Sequence, residues 1–111
     1  MLVSIISPNL SSNCLGRAYV LAQLIERNHE VEIVGPQFER EPWEPIKNEY
    51  DYKGVKTGPR LYQFPFVISE LLDRISGDIV YASKPRTTSY GLSLLAALDR
   101  DRPLILDIDD W

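Results

Sequence analysis

The hydrophobic period changes twice near the start of the chain, and nothing else limits the fold as tightly. Residues 2–7 (LVSIIS) form an apolar run rich in branched side chains that ends at Pro8-Asn9, as a strand buried on both faces does. From Asn13 the spacing becomes helical. Ala18, Leu21, Ala22 and Ile25 fall on one stripe, Val20 and Leu24 widen it, and Gln23, Glu26 and Arg27 lie mainly off it. Ser11, Ser12 or Asn13 can cap the helix start. Arg27 suits its last turn, and Asn28 tolerates the left-handed cap conformation. Residues 30–35 (EVEIVG) then alternate and stop at Gly-Pro. Strand, helix and strand in succession make a βαβ unit, which implies parallel pairing and a right-handed crossover.

The later half repeats the alternation. Val67, Ile68, Leu71, Leu72 and Ile75 make a helical stripe that Gly77-Asp78 breaks, and residues 78–83 (DIVYAS) read as a strand. Thr87, Thr88 or Ser89 can cap a helix in which Gly91, Leu94, Leu95 and Leu98 share one face. Pro103 opens a last strand. The alternation predicts an α/β fold: a doubly wound, mainly parallel Rossmann-like sheet with helices on both faces, a three-layer sandwich. Between the halves, residues 37–65 read as an irregular insertion, with room for a short strand in GVKTGPRLYQF. Five of the eight prolines lie between Pro36 and Pro65, together with Trp43, Tyr50, Tyr52 and Tyr62, an aromatic content that a disordered linker lacks.

At 111 residues, with 44% apolar and 25% charged side chains, the chain has the size and composition of one globular domain. Its net charge of -4 speaks against a nucleic-acid partner, yet leaves room for a local basic patch. One cysteine and one histidine build neither a disulfide nor a zinc site. The start, MLVSIISPNL, lacks the basic region of a secretory signal. No segment approaches the roughly 18 apolar residues of a membrane span. A cytoplasmic location is the expectation, and peripheral membrane contact has no support in the sequence.

Open parallel sheets bind ligands beyond the carboxyl ends of their strands, where strand order reverses. With the usual order that point lies between the first strand and DIVYAS. The first loop offers Ser7, Asn9, Ser11, Ser12 and Asn13, followed by Gly16 and Arg17 on the first helical turn. Its structural alternative is a capped turn with a packing glycine. The second loop sets Lys84 and Arg86 around Pro85 and runs into Thr87 and Thr88. Two cations at a helix start oppose the helix dipole unless an anion joins them, so this loop is the candidate anion site, with solvated charges as the alternative. Neither G-x-G-x-x-G nor G-x-x-x-x-G-K-[ST] is present. The chain closes on DIDD. Asp107 and Asp109 point to one side of a strand and Asp110 to the other. Such a pair can hold a divalent cation on a diphosphate, act as in aspartate-nucleophile phosphatases, line a cleft, or simply be solvated. The phosphatase motif normally closes the first strand, which here carries no acid, and no metal is expected. His29, at a helix-to-strand turn, reads as structural. Cys14 has no identifiable base.

Two stretches resemble a known family. LAQLIERNHEVEIVG looks like the first helix and second strand of GT-B glycosyltransferases, especially the family-4 retaining enzymes, whose usual text is L-A-x-x-L-x-x-R-G-H-E-V. GDIVYASKPRTTSYGLSLLAAL with RPLILDIDDW resembles the later half of the same N-terminal domain. The resemblance covers most of residues 1–36 and 77–111. It implies an acceptor-side domain facing a C-terminal domain, with a nucleotide-sugar as co-substrate and no other cofactor. Asn9, Ser11, Ser12, Asn13, Asp107, Asp109 and Asp110 would line the cleft. Gly16, Arg17, Lys84, Arg86, Thr87 and Thr88 would hold phosphate. The family's glycine pair in the first loop is Leu15-Gly16 here. Glu41 and Glu49 have the family's E-x7-E spacing but lie in the wrong domain. On this view the chain is a fragment lacking its C-terminal domain, inactive alone and prone to self-association. The rival is a free-standing nucleotide- or anion-binding flavodoxin-like module without catalysis.

Overall fold

The computed structural model describes residues 1–39, 41–58 and 61–107. Five strands, β1 (Leu2–Ile6), β2 (Glu30–Gln37), β3 (Lys53–Lys56), β4 (Ile79–Ser83) and β5 (Leu104–Asp107), form one sheet in the order β3-β2-β1-β4-β5. All four pairings are parallel. The fold is therefore α/β with a Rossmann-like order, and the reversal falls between β1 and β4 as the sequence implied.

Helices α1 (Cys14–Ile25), α2 (Ile68–Arg74) and α3 (Leu92–Arg100) supply the outer layers. Alternation along β1 divides the core. Val3 and Ile5 pack with Leu15, Ala18 and Leu21 of α1, while Ile6 packs with Leu71, Ile75, Leu92 and Ala96 on the other face. Ala18 and Ala22, fully buried, let α1 lie close on the sheet.

Several local expectations need correction. β2 continues through Pro36 to Gln37 instead of stopping at Gly35. The carbonyls of Val34 and Pro36 face β1, accepting the N–H groups of Ser7 (3.0 Å) and Leu10 (2.9 Å). The N–H that proline lacks would have pointed the same way, just past the end of β1, so no ladder bond is lost. The stretch 37–65 is more regular than expected. It holds β3, a 3₁₀ turn at Glu44–Ile46 and a longer 3₁₀ segment at Leu61–Val67. Trp43, Ile46, Tyr50 and Tyr52 cover the α1 side of the core. Val20 and Leu24 are exposed, so the α1 stripe is narrower than drawn. Asn28 does not adopt the left-handed conformation. Among the described non-glycine residues only Lys84 (φ 72°) and Asp101 (φ 51°) do, and Asp101 ends α3.

The largest correction concerns α3. Leu94, Leu95 and Leu98 face outward, and Leu92, Ser93 and Ala96 face the sheet. Small residues permit close helix-on-sheet packing, and Ser93 satisfies its buried hydroxyl by donating to the Ser89 carbonyl at 2.6 Å.

Candidate functional site

Loops from β1, β2 and β4 converge on a cleft of about 690 Å³ at the carboxyl edge of the sheet. Pro8, Asn9 and Ser12 line it from the first loop, Phe38 and Glu39 from the end of β2, and Pro85, Arg86, Thr87 and Thr88 from the β4 loop. This is the switch-point position.

The first loop is tied down by its own polar groups. Asn9 Oδ1 accepts the Ser11 N–H (2.9 Å) and the Phe38 N–H (3.4 Å). Ser12 Oγ accepts the Cys14 N–H at 3.3 Å, and Ser11 Oγ accepts the Glu39 N–H at 3.1 Å. These residues line or brace the cleft, but their acceptors are largely spent on the backbone. Asn13 holds the N-cap position with helical angles and no side-chain cap bond.

Neither Gly16 nor Arg17 lines the cleft, so neither is placed to hold an anion there. A Cβ on Gly16 would sit 3.3 Å from Trp43 Cζ3, the packing role weighed as its alternative. Arg17 instead makes a bidentate pair with Asp107, Nε to Oδ2 at 2.8 Å and Nη2 to Oδ1 at 3.0 Å. The pair ties α1 to the end of β5 and removes Asp107 from the cleft-lining set. Asp109, Asp110 and Trp111 lie outside the described residues.

In the β4 loop the two cations part company. Lys84 takes the left-handed conformation and does not line the cleft. Its N–H donates to the Asp107 carbonyl (3.0 Å), and its own carbonyl accepts from Ser89 Oγ (2.5 Å) and the Arg86 N–H (3.0 Å). The conformation is thus over-determined by backbone contacts. Arg86 does line the cleft, and its guanidinium has no partner among the described residues. Residues Thr87–Gly91 form a single π turn leading into α3, so Thr87, Thr88 and Ser89 lie inside the turn instead of capping it. The Thr87 and Thr88 N–H groups have no backbone partner among the described residues, as at any helix start. The Arg86 guanidinium and these two donors are the anion-attracting part of the cleft.

Sequence reasoning missed Phe38 and Glu39. The available signal was position: an acid just past the second strand of a Rossmann-like sheet reaches the ligand crevice. Ending that strand at Gly35 hid it. Pro8, Phe38 and Pro85 give the cleft apolar walls, while Glu39, Ser12 and the threonines can bond to hydroxyls.

The only titratable side chains lining the cleft among the described residues are Glu39 and Arg86. Cys14 is buried and lies outside its walls. His29 is exposed in the turn before β2, at the opposite end of the sheet. Among the described residues no group of three or more His, Cys, Asp or Glu side chains could hold a metal ion. No helix among them is long and apolar enough to cross a membrane. The cleft offers hydroxyls, a carboxylate, one guanidinium and two open N–H groups around apolar walls, which suits holding a polar, partly anionic ligand. Comparison with protein-family models, curated proteins and solved structures found no match for this chain.

Proposed function

We propose that this chain is the acceptor-side domain of a GT-B-like glycosyltransferase, whose intact enzyme moves a sugar from a nucleotide-sugar to an acceptor. The observation that carries this reading is the composition of the switch-point cleft. It gathers the hydroxyls of Ser12, Thr87 and Thr88, the Glu39 carboxylate and the Arg86 guanidinium from three loops, with no hydrogen-bonded nucleophile and base among the described residues that line it. Such a surface binds and orients a polyhydroxylated ligand, and the chemistry needs a second surface that brings the donor into near-attack geometry. The resemblance of residues 21–35 to the family's first helix and second strand supports the same assignment.

A free-standing nucleotide-binding module is the second reading. Glu39 favours it, because an acid beyond the second strand is the ribose-binding position of Rossmann-like sheets. Amide NMR on the chain separates the two. Simple sugars shifting Thr87, Thr88 and Glu39 support the acceptor-side reading. Shifts with UMP or AMP and none with sugars support the module. Turnover of a nucleotide-sugar by the chain alone would overturn the claim that the chemistry needs a second surface.

A further inference from the structure

A second trough of about 760 Å³ adjoins the cleft and is lined by Ser11, Glu39, Glu41, Pro42, Trp43, Glu44 and Lys56. Glu39 lines both cavities, so the two share a wall. We infer that this trough is a second sugar subsite, so that the acceptor is a glycan of at least two rings. The inference rests on the acceptor-side reading and adds to it the size and class of the acceptor.

Three features carry it. First, Trp43 is held in place. Its backbone N–H donates to the Leu10 carbonyl at 2.7 Å, and its ring edge rests over Gly16, where a side chain would crowd Cζ3. An aromatic fixed before binding loses little freedom when a ligand arrives. Second, the polar groups around it match a sugar. The Trp43 indole N–H, the Glu39 carboxylate and the Lys56 ammonium have no partner among the described residues. Glu41 and Glu44 are both drawn to Lys47, at 3.3 and 3.1 Å, which orients their carboxylates at the rim. A pyranose has an apolar C–H face for the indole and equatorial hydroxyls that donate to carboxylates and accept from the N–H and ammonium donors. Third, each cavity alone falls within the roughly 300–1,000 Å³ of a small-molecule site, so together they take two rings. Three carboxylates disfavour a polyanion here, and the unpaired ammonium and indole N–H disfavour a purely cationic peptide.

The test is NMR titration of the chain with glucose, maltose, cellobiose, lactose and chitobiose, watching the Trp43 indole N–H, assigned with Trp43→Phe, beside the Thr87 and Thr88 amides. The expected result is a disaccharide that shifts both sets and binds about tenfold more tightly than glucose. The exposed change Glu44→Gln should weaken the disaccharide and spare glucose. Disaccharides that shift Thr87 and Thr88 but never the Trp43 indole overturn the second subsite and leave the acceptor-side reading standing. An indole shift produced by pentalysine and not by sugars also overturns it. Silence of both sets across the panel overturns both statements.

Discussion

Glu32 sits on β2 toward the amino ends of the strands, away from the cleft, and its carboxylate joins four separate parts of the chain. Its side chain is 7% exposed. It accepts from Ser4 Oγ on β1 (2.5 Å), from the Ser76 N–H before β4 (2.7 Å) and from Lys53 Nζ on β3 (2.6 Å). Ser4 Oγ in turn accepts the Gly77 N–H at 2.7 Å. Glu32→Ala leaves the Ser4 hydroxyl proton buried without an acceptor, at about 1–3 kcal/mol. The half-buried Ser76 N–H adds about 1 kcal/mol. Lys53 is 43% exposed and returns to water at little cost. The expected loss is about 3 kcal/mol, a large part of the roughly 5–15 kcal/mol that holds a domain of this size. In urea, with m near 1–2 kcal/mol/M, the midpoint should fall by about 1.5–3 M. Ser4→Ala combined with Glu32→Ala should cost about 1 kcal/mol less than the sum of the singles, because neither partner is then orphaned. Phosphate-induced shifts at Thr87 and Thr88 should survive in every variant that folds. A Glu32→Ala loss under about 1 kcal/mol, or strict additivity with Ser4→Ala, would refute the network argument.

Three further outcomes follow from the packing. A methyl group on Gly35 would overlap the Ser7 backbone carbonyl, so Gly35→Ala should lose about 3 kcal/mol or more in a thermal melt followed by circular dichroism. Leu95→Glu and Leu98→Glu, on the outward face of α3, should each change stability by no more than about 0.5 kcal/mol in urea, which a leucine-inward helix could not tolerate. Burial, aided by the nearby charges of Tyr19 and Glu49, raises Tyr52 from 10.0 to about 12. A raised folded value means that this contribution is complete below pH 10 and disappears as pH rises toward about 12. Tyr52→Phe should therefore lose less stability than the parent between those limits, as measured by urea midpoints at stepped alkaline pH.

The sheet was legible because branched runs bounded by proline and glycine mark strands, and two changes of hydrophobic period fix parallel pairing. The α3 face was not legible, because a count of large apolar residues favours Leu94, Leu95 and Leu98. Close packing instead selected Ser93 and Ala96 for the sheet side. The polar first loop and Arg86 could be placed from position alone, since a switch point is a property of strand order. The Arg17–Asp107 pair could not, because its members are 90 residues apart and each looked like a ligand-facing group. The continuation of β2 through Gly35-Pro36 was hidden by a rule true of most strands, and with it went Glu39.

That proline has an evolutionary consequence. The β1–β2 pairing ends at Ile6 and Val34, and residue 36 has no hydrogen with which to carry it on to the Ser7 carbonyl. Beyond Ser7 the chain is held instead by the buried Pro8 and Leu10 and by the bonds to Asn9 and Ser11. Ser12, whose side chain lines the cleft and, among the described residues, bonds only within its own loop, is therefore the position that can change while the strand ends stay where they are. Ligand preference in such a domain can change without renegotiating the fold.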